Sequence, residues 1–99
     1  MADLYTLETP ALLLDRARMD YNILRMQSQV SALGCRLRPH VKTSKSWPVV
    51  RAQMDAGASS ITVSTLKEAE QFHAQGVRDI LYAVALAPNK IAHALDLRA

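Results

Sequence analysis

The stretch Cys35-Arg-Leu-Arg-Pro-His-Val-Lys42 carries more ionisable groups than a buried strand normally tolerates. Side chains alternate faces along extended backbone, so Cys35, Leu37 and Val41 share one side, and Arg36, Arg38, His40 and Lys42 share the other. A strand inside a parallel sheet is normally apolar on both faces. Four basic residues on one face therefore mean that the face is wet or that it lines a polar cavity. Lys42 comes last, at the carboxyl end of the strand, where active sites of barrels and open α/β sheets gather. Crowding by His40, Arg38 and Lys45, together with desolvation, disfavours the protonated form of such a lysine. A neutral amine is the form that attacks an aldehyde to make an imine. The competing reading is a surface lysine whose stem snorkels along the strand end.

The elements that must position Lys42 are legible on either side of it. Met19, Ile23, Met26, Val30 and Leu33 fall on one stripe of a helix, with Asp15 as N-cap and Gly34 just past its end. A second helix is predicted from about Trp47 to Ala56, with Ser46 as cap, Pro48 in the first turn and Gly57 as stop. Thr65-Leu-Lys-Glu68 is a capping-box pattern that opens a third helix ending before Gly76. A fourth starts at Pro88 and places Ile91, Ala94 and Leu95 on one face. Strands are predicted at Arg36–Val41, Ser60–Val63 and Asp79–Val84, and an extended run at Ala11–Leu14. Strands separated by whole helices, without hairpin signals, pair in parallel through right-handed crossovers.

A doubly wound sheet and a (β/α)8 barrel both begin this way. A barrel takes about 250 residues, and the 99 residues here supply three strand–helix units. The expected fold class is thus α/β: the first three units of a TIM-like barrel, truncated, with an open edge and an uncovered interior face.

Composition narrows the function classes. The apolar content of 49% and charged content of 21% suit a globular protein. The longest apolar run, Ile80 to Ala87, is far short of a membrane span, and the acidic start lacks the basic region of a secretory signal. The single cysteine, Cys35, forms no internal disulfide and reads as an apolar core filler; this fits a reducing, cytoplasmic setting. The net charge of +3 is concentrated in Arg36, Arg38, Lys42, Lys45 and Arg51, a run without acidic residues that suits an anion or is simply a solvated basic face. A nucleic-acid module would interleave aromatic residues for stacking, and only Trp47 is near. No nucleic-acid or membrane partner is expected. His40, His73 and His93 lack metal-ligand spacing, so no metal site is assigned.

Four segments in register carry a resemblance: Thr9-Pro-Ala-Leu-Leu-Leu-Asp15 before a helix containing Asn22; Arg38-Pro-His-Val-Lys-Thr-Ser-Lys45; Ser64-Thr-Leu-Lys-Glu-Ala-Glu70; and Asp79-Ile-Leu-Tyr-Ala83. Together they resemble the amino-terminal part of the D-threonine aldolase and D-serine dehydratase family, whose alanine-racemase-like barrel binds pyridoxal 5'-phosphate and carries a carboxyl-terminal β-domain. The resemblance implies that Lys42 is the catalytic, cofactor-binding lysine and that His40, on the same face, contacts the cofactor or tunes the lysine; the alternative for His40 is a buried structural histidine. It implies a lead-in over residues 1–15, whose strand belongs to the second domain, and a partial cofactor-binding barrel over 16–99.

The resemblance also implies a small D-amino acid substrate, a homodimeric full-length parent, and a divalent metal whose ligands lie outside this sequence, as do the phosphate-gripping loops. Relatives commonly have a histidine where Ser44 stands. The activity implied is that of a lyase on D-3-hydroxy amino acids: aldolase-type cleavage first, dehydration second, and a non-enzymatic pyridoxal-phosphate homeostasis protein third. The 99-residue chain alone is expected to be inactive. Ser64 and Tyr82, near strand ends, and Thr65 and Glu68, in the cap, are read as packing and capping residues. His73 and His93 are read as exposed.

Overall fold

The computed structural model describes residues 3–98. A short 3-10 turn, Leu4–Thr6, precedes α1 (Arg16–Ala32), α2 (Trp47–Asp55), β1 (Ile61–Val63), α3 (Leu66–Ala74), β2 (Ile80–Tyr82) and, after a 3-10 turn at Pro88–Lys90, α4 (Ile91–Arg98). The helix boundaries follow the punctuation. Asp15 accepts a hydrogen bond from Arg18 N–H at 3.0 Å, and Gly34 lies at φ +70°, the left-handed geometry that ends a helix without a Cβ penalty. Ser46 occupies the cap of α2 but makes no side-chain bond to it, and Pro48 lies in its first turn.

β1 and β2 pair in parallel, Ile61 with Ile80, Thr62 with Leu81 and Val63 with Tyr82. The expected first strand is reduced to a single parallel bridge between His40 and Thr62. Val41 N–H donates to Thr62 C=O at 3.0 Å, and Thr62 N–H donates to Pro39 C=O at 2.8 Å. Pro39 has no N–H to extend the ladder backwards, so Arg36 to Arg38 run alongside without joining it. Ala11–Leu14 enters no ladder among the described residues, and its leucines are exposed, Leu12 fully so.

The core lies between the sheet and helices α2 and α3. Val41, Val50, Ile61, Val63, Phe72 and Val77 form one buried cluster. Val41, Ile61 and Val63 share the core face with Ile80 and Tyr82, as alternation and register require, whereas the opposite face carries His40, Thr62 and Leu81 side by side. Leu81 is half exposed there. The stripe on α1 buries no residue; it overlooks a cleft of about 370 Å³ lined by Ile23, Met26, Leu37, Pro39, His40 and Gln53. On α4 the face turned towards α3 holds Ala94 and Leu97, with Ile91 and Leu95 left exposed, so the expected apolar face is rotated by part of a turn. Cys35 is exposed, contrary to the core role expected of it, because the chain joins the ladder only from Pro39 onwards and imposes no alternation before that point.

The cap of α3 is more than a cap. Thr65 Oγ1 accepts from Glu68 N–H at 3.0 Å, as a capping box requires, and donates to Glu68 Oε2 at 2.6 Å. Ser64 Oγ donates to the same oxygen at 3.0 Å, and the glutamate is buried. Burial pushes the Glu68 carboxyl up, but the hydroxyls of Thr65 and Ser64 and the Lys45 charge outweigh it and hold the group below its ordinary 4.5. A carboxylate lowered by folding stabilises the native state above its unfolded value, and that contribution is lost as pH falls through the folded value.

Two outcomes follow from this architecture. The 99-residue chain on its own, with Leu12, Leu13, Leu14 and Leu81 exposed, should melt broadly and bind a hydrophobic dye; a sharp cooperative melt of the monomer contradicts this. In the full-length protein, Glu68→Gln should remove part of the stability lost as pH falls below the carboxyl's ordinary 4.5. Denaturant titrations across that range check it, and identical acid limbs for both proteins refute it.

Candidate functional site

The strand that carries Lys42 ends in a turn. Val41 C=O accepts from Lys45 N–H at 2.9 Å, closing residues 41–45, and Lys45 lies at φ 46°, left-handed geometry that costs a residue with a Cβ. Register places Lys42 two positions beyond the His40–Thr62 bridge, level with Ser64 at the end of β1. Val41 is buried and Lys42 exposed, so alternation delivers the lysine to the open face opposite the core. The structure brings Lys42 and His40 onto one face at the carboxyl end of the sheet.

His40 is exposed among the described residues. Its Nδ1 accepts the Lys42 backbone N–H at 3.3 Å. A nitrogen that accepts carries no proton, so the neutral ring keeps its hydrogen on Nε2 and presents a donor to the surroundings.

The crowding of cations expected around Lys42 is resolved differently. Arg38 turns away from the lysine: its guanidinium donates to Asp79 Oδ1 at 2.8 Å and to Ile61 C=O at 3.2 Å, tying the first strand to both β1 and the start of β2. Lys45 acts on the Glu68 carboxylate. Among the described residues, Lys42 makes no ion pair and its side chain no hydrogen bond. The site thus separates structural cations from a free amine, a distinction that alternation by itself does not provide.

The remaining residues fall into place. Ser64 and Tyr82 do serve packing: the Ser64 hydroxyl is spent on Glu68, and Tyr82 sits on the core side beside Val63. His73 is exposed and within 2.7 Å of an Arg78 nitrogen, and His93, also exposed, bonds Glu70 across α3 and α4. What sequence reasoning missed is the burial of Glu68; the serine and threonine immediately before α3, both able to donate to one carboxylate, were the signal.

An amine with no structural partner, level with a hydroxyl-bearing strand end and beside an imidazole N–H donor, fits the needs of an aldehyde cofactor bearing anionic groups. The donor set also fits no metal: no group of three or more histidine, cysteine or acidic residues is suitably clustered among the described residues. No helix among them is long and apolar enough to cross a membrane.

The profile of the family "Alanine racemase, N-terminal domain" matches residues 14–99. The chain is 64% identical over 95 residues to the D-threo-3-hydroxyaspartate dehydratase of Delftia sp. (strain HT23), covering 96% of this chain and 25% of that protein. The solved structure of that dehydratase superposes with a TM-score of 0.92 over 94% of this chain and 24% of its own, at 64% identity. The D-serine dehydratase of Dictyostelium discoideum is 34% identical over 100 residues, covering 96% of this chain and 25% of its own. The D-threonine aldolase of Arthrobacter sp. is 34% identical over 86 residues, covering 86% and 23%. The chain spans about a quarter of the length of these relatives. The fold is the opening of an alanine-racemase N-terminal-like barrel. Its sheet, its strand-end lysine and the profile match over 14–99 make this chain a member of the alanine racemase N-terminal domain family.

Proposed function

We propose that this chain is the amino-terminal part of a pyridoxal-phosphate-dependent lyase that eliminates water from D-3-hydroxy amino acids, with Lys42 as the residue that binds the cofactor covalently. The observation that carries the reading is the position of Lys42: exposed at the end of its strand, on the open face, with the neighbouring Arg38 engaged by Asp79 and the Ile61 carbonyl. The similarity of 64% to a D-threo-3-hydroxyaspartate dehydratase, against 34% to a D-threonine aldolase, supports breaking a carbon–oxygen bond over breaking a carbon–carbon bond. This reverses the order in which the sequence alone ranks the two.

When bound, pyridoxal phosphate supplies an electron sink for the bonds broken at the substrate carbon. The chain supplies the rest. Lys42 Nζ, in its neutral form, is the nucleophile that would hold the cofactor covalently. His40, fixed by the Lys42 backbone N–H, holds its proton on Nε2 and offers a donor on the same face. The 41–45 turn orients Lys42, and the Arg38–Asp79 pair locks the strand beneath it. In this reading residues 1–15 lead in from a second domain, residues 16–99 begin the cofactor barrel, and the parent is a homodimer with a divalent metal held by residues further along the chain.

Borohydride reduction of the full-length protein with pyridoxal phosphate, followed by peptide mapping, should place the pyridoxyl group on Lys42, and a label on another lysine refutes the assignment. Lys42→Ala should lower turnover by at least about a thousandfold. Incubation with D-threo-3-hydroxyaspartate, D-serine and D-threonine separates the reactions: dehydration yields ammonia and a keto acid. Glycine and an aldehyde identify the aldolase instead, and cofactor binding without turnover identifies a carrier.

A further inference from the structure

On the helix side of the sheet, away from Lys42, a cavity of about 460 Å³ lies between α3, β2 and α4. That volume falls within the range of ligand pockets, about 300–1,000 Å³. Its walls are apolar: Leu66 and Ala69 come from α3, Ile80 from β2, and Ala94 and Leu97 from α4. Ala69 and Ala94 are the smallest of these, and a methyl in place of a longer side chain on each helix leaves the space open.

The basic residues of the cavity gather at one end. α3 runs back against the strands, as a crossover between parallel strands must, so His73 near its carboxyl end meets Arg78 on the approach to β2. Arg98 ends α4 and lines the same cavity. Arg78 donates to His73 Nε2 at 2.7 Å. A guanidinium has donors only, so this contact occupies one of them without supplying a counter-charge. Among the described residues, neither Arg78 nor Arg98 forms an ion pair. Asp79 is held by Arg38, Glu70 bonds His93, and Asp96 does not line the cavity. A cation at the carboxyl end of a helix also answers the helix dipole. That accounts for His73 and Arg98, but Arg78 belongs to neither helix.

We propose that this cavity binds a carboxylate bearing a short hydrocarbon chain, with the chain among Leu66, Ile80 and Leu97 and the carboxylate on Arg78 and Arg98. Guanidinium groups suit this head group because their parallel donors meet both carboxylate oxygens. The site is separate from the cofactor lysine: it lies on the face of Ile80, packed against the core, whereas Lys42 is presented on the opposite face. It stands or falls independently of the role given to Lys42.

The test is calorimetric titration of the full-length protein with octanoate, with and without saturating pyridoxal phosphate. Octanoate should bind saturably at a single site, more weakly as salt is added, and with the same affinity whether or not pyridoxal phosphate is present. Acetate lacks the chain and octanol lacks the charge, so each should bind at least about tenfold more weakly. Arg78→Gln should weaken octanoate binding about tenfold, the loss of one charge-assisted hydrogen bond, and Ala94→Leu, which fills the space, should abolish it. Melting curves confirm that each variant is folded, and Arg78→Gln, altered only at an exposed side chain, keeps the test open if Ala94→Leu unfolds. A basic rim that serves only the helix ends predicts that Arg78→Gln binds octanoate like the wild type, and that result overturns the proposal. So do the absence of octanoate binding by the full-length protein, equal binding of octanol, unchanged binding by folded Ala94→Leu, and competition between octanoate and pyridoxal phosphate.

Discussion

Two backbone hydrogen bonds set the geometry of this molecule: Val41 N–H to Thr62 C=O and Thr62 N–H to Pro39 C=O. They define the register of the first extended segment against β1, and side-chain alternation then leaves no freedom. Val41 must enter the core and Lys42 must leave it. A slip of one residue would bury the lysine among Val50, Ile61 and Val63 and expose the valine, at the cost of an unpaired charge in an apolar cluster. The apolar core is therefore what enforces the position of a polar group. The chemistry of Lys42 is downstream of the packing of Val41.

Because the bridge is so short, the segment needs other restraints, and they are ionic. Arg38 reaches across to Asp79 and to the Ile61 carbonyl, linking the first, second and third extended segments on the face that alternation leaves polar. Its pair is partly exposed, so its direct contribution to stability is modest; exposed pairs give at most about 1 kcal/mol. Its geometric contribution is larger, since a guanidinium held at two acceptors fixes the direction of the strand ahead of Pro39. At the other end, the backbone bond from Lys45 N–H to Val41 C=O closes the turn. One strand face thus carries cations that look alike in sequence but are divided between structural and chemical tasks.

The helices were legible from their punctuation because capping is local: Asp15, Thr65, Gly34, Gly57 and Gly76 act through backbone within a few residues. The parallel pairing of β1 with β2 was equally open to reading, because intervening helices forbid a hairpin. The side of Lys42 followed from alternation. Three features were not legible. The shortening of the first strand depends on Pro39 and on what lies beside it in space. The exposure of Cys35 follows from the same late start of the ladder. The partners of Arg38, 41 residues away at Asp79, are fixed only when two crossovers have folded. The alternation rule correctly gathered Arg38, His40 and Lys42 on one face but could not say which of them had partners.

That distinction decides what the face can do. A cation engaged by a carboxylate is stabilised in its charged form and has its donors occupied, so it serves structure. Arg38 has its donors occupied by Asp79 and the Ile61 carbonyl. His40 accepts the Lys42 backbone N–H on Nδ1, which leaves Nε2 directed to the surroundings. Between Arg38 and Lys45, Lys42 is left as the basic group with no assigned partner among the described residues. The role proposed for Lys42 is served by this separation, because an amine already committed to an ion pair must break it before it can lose its proton and attack. The fold meets the requirement by sending its neighbours' charges sideways and behind the sheet, leaving one amine facing the open side where alternation put it.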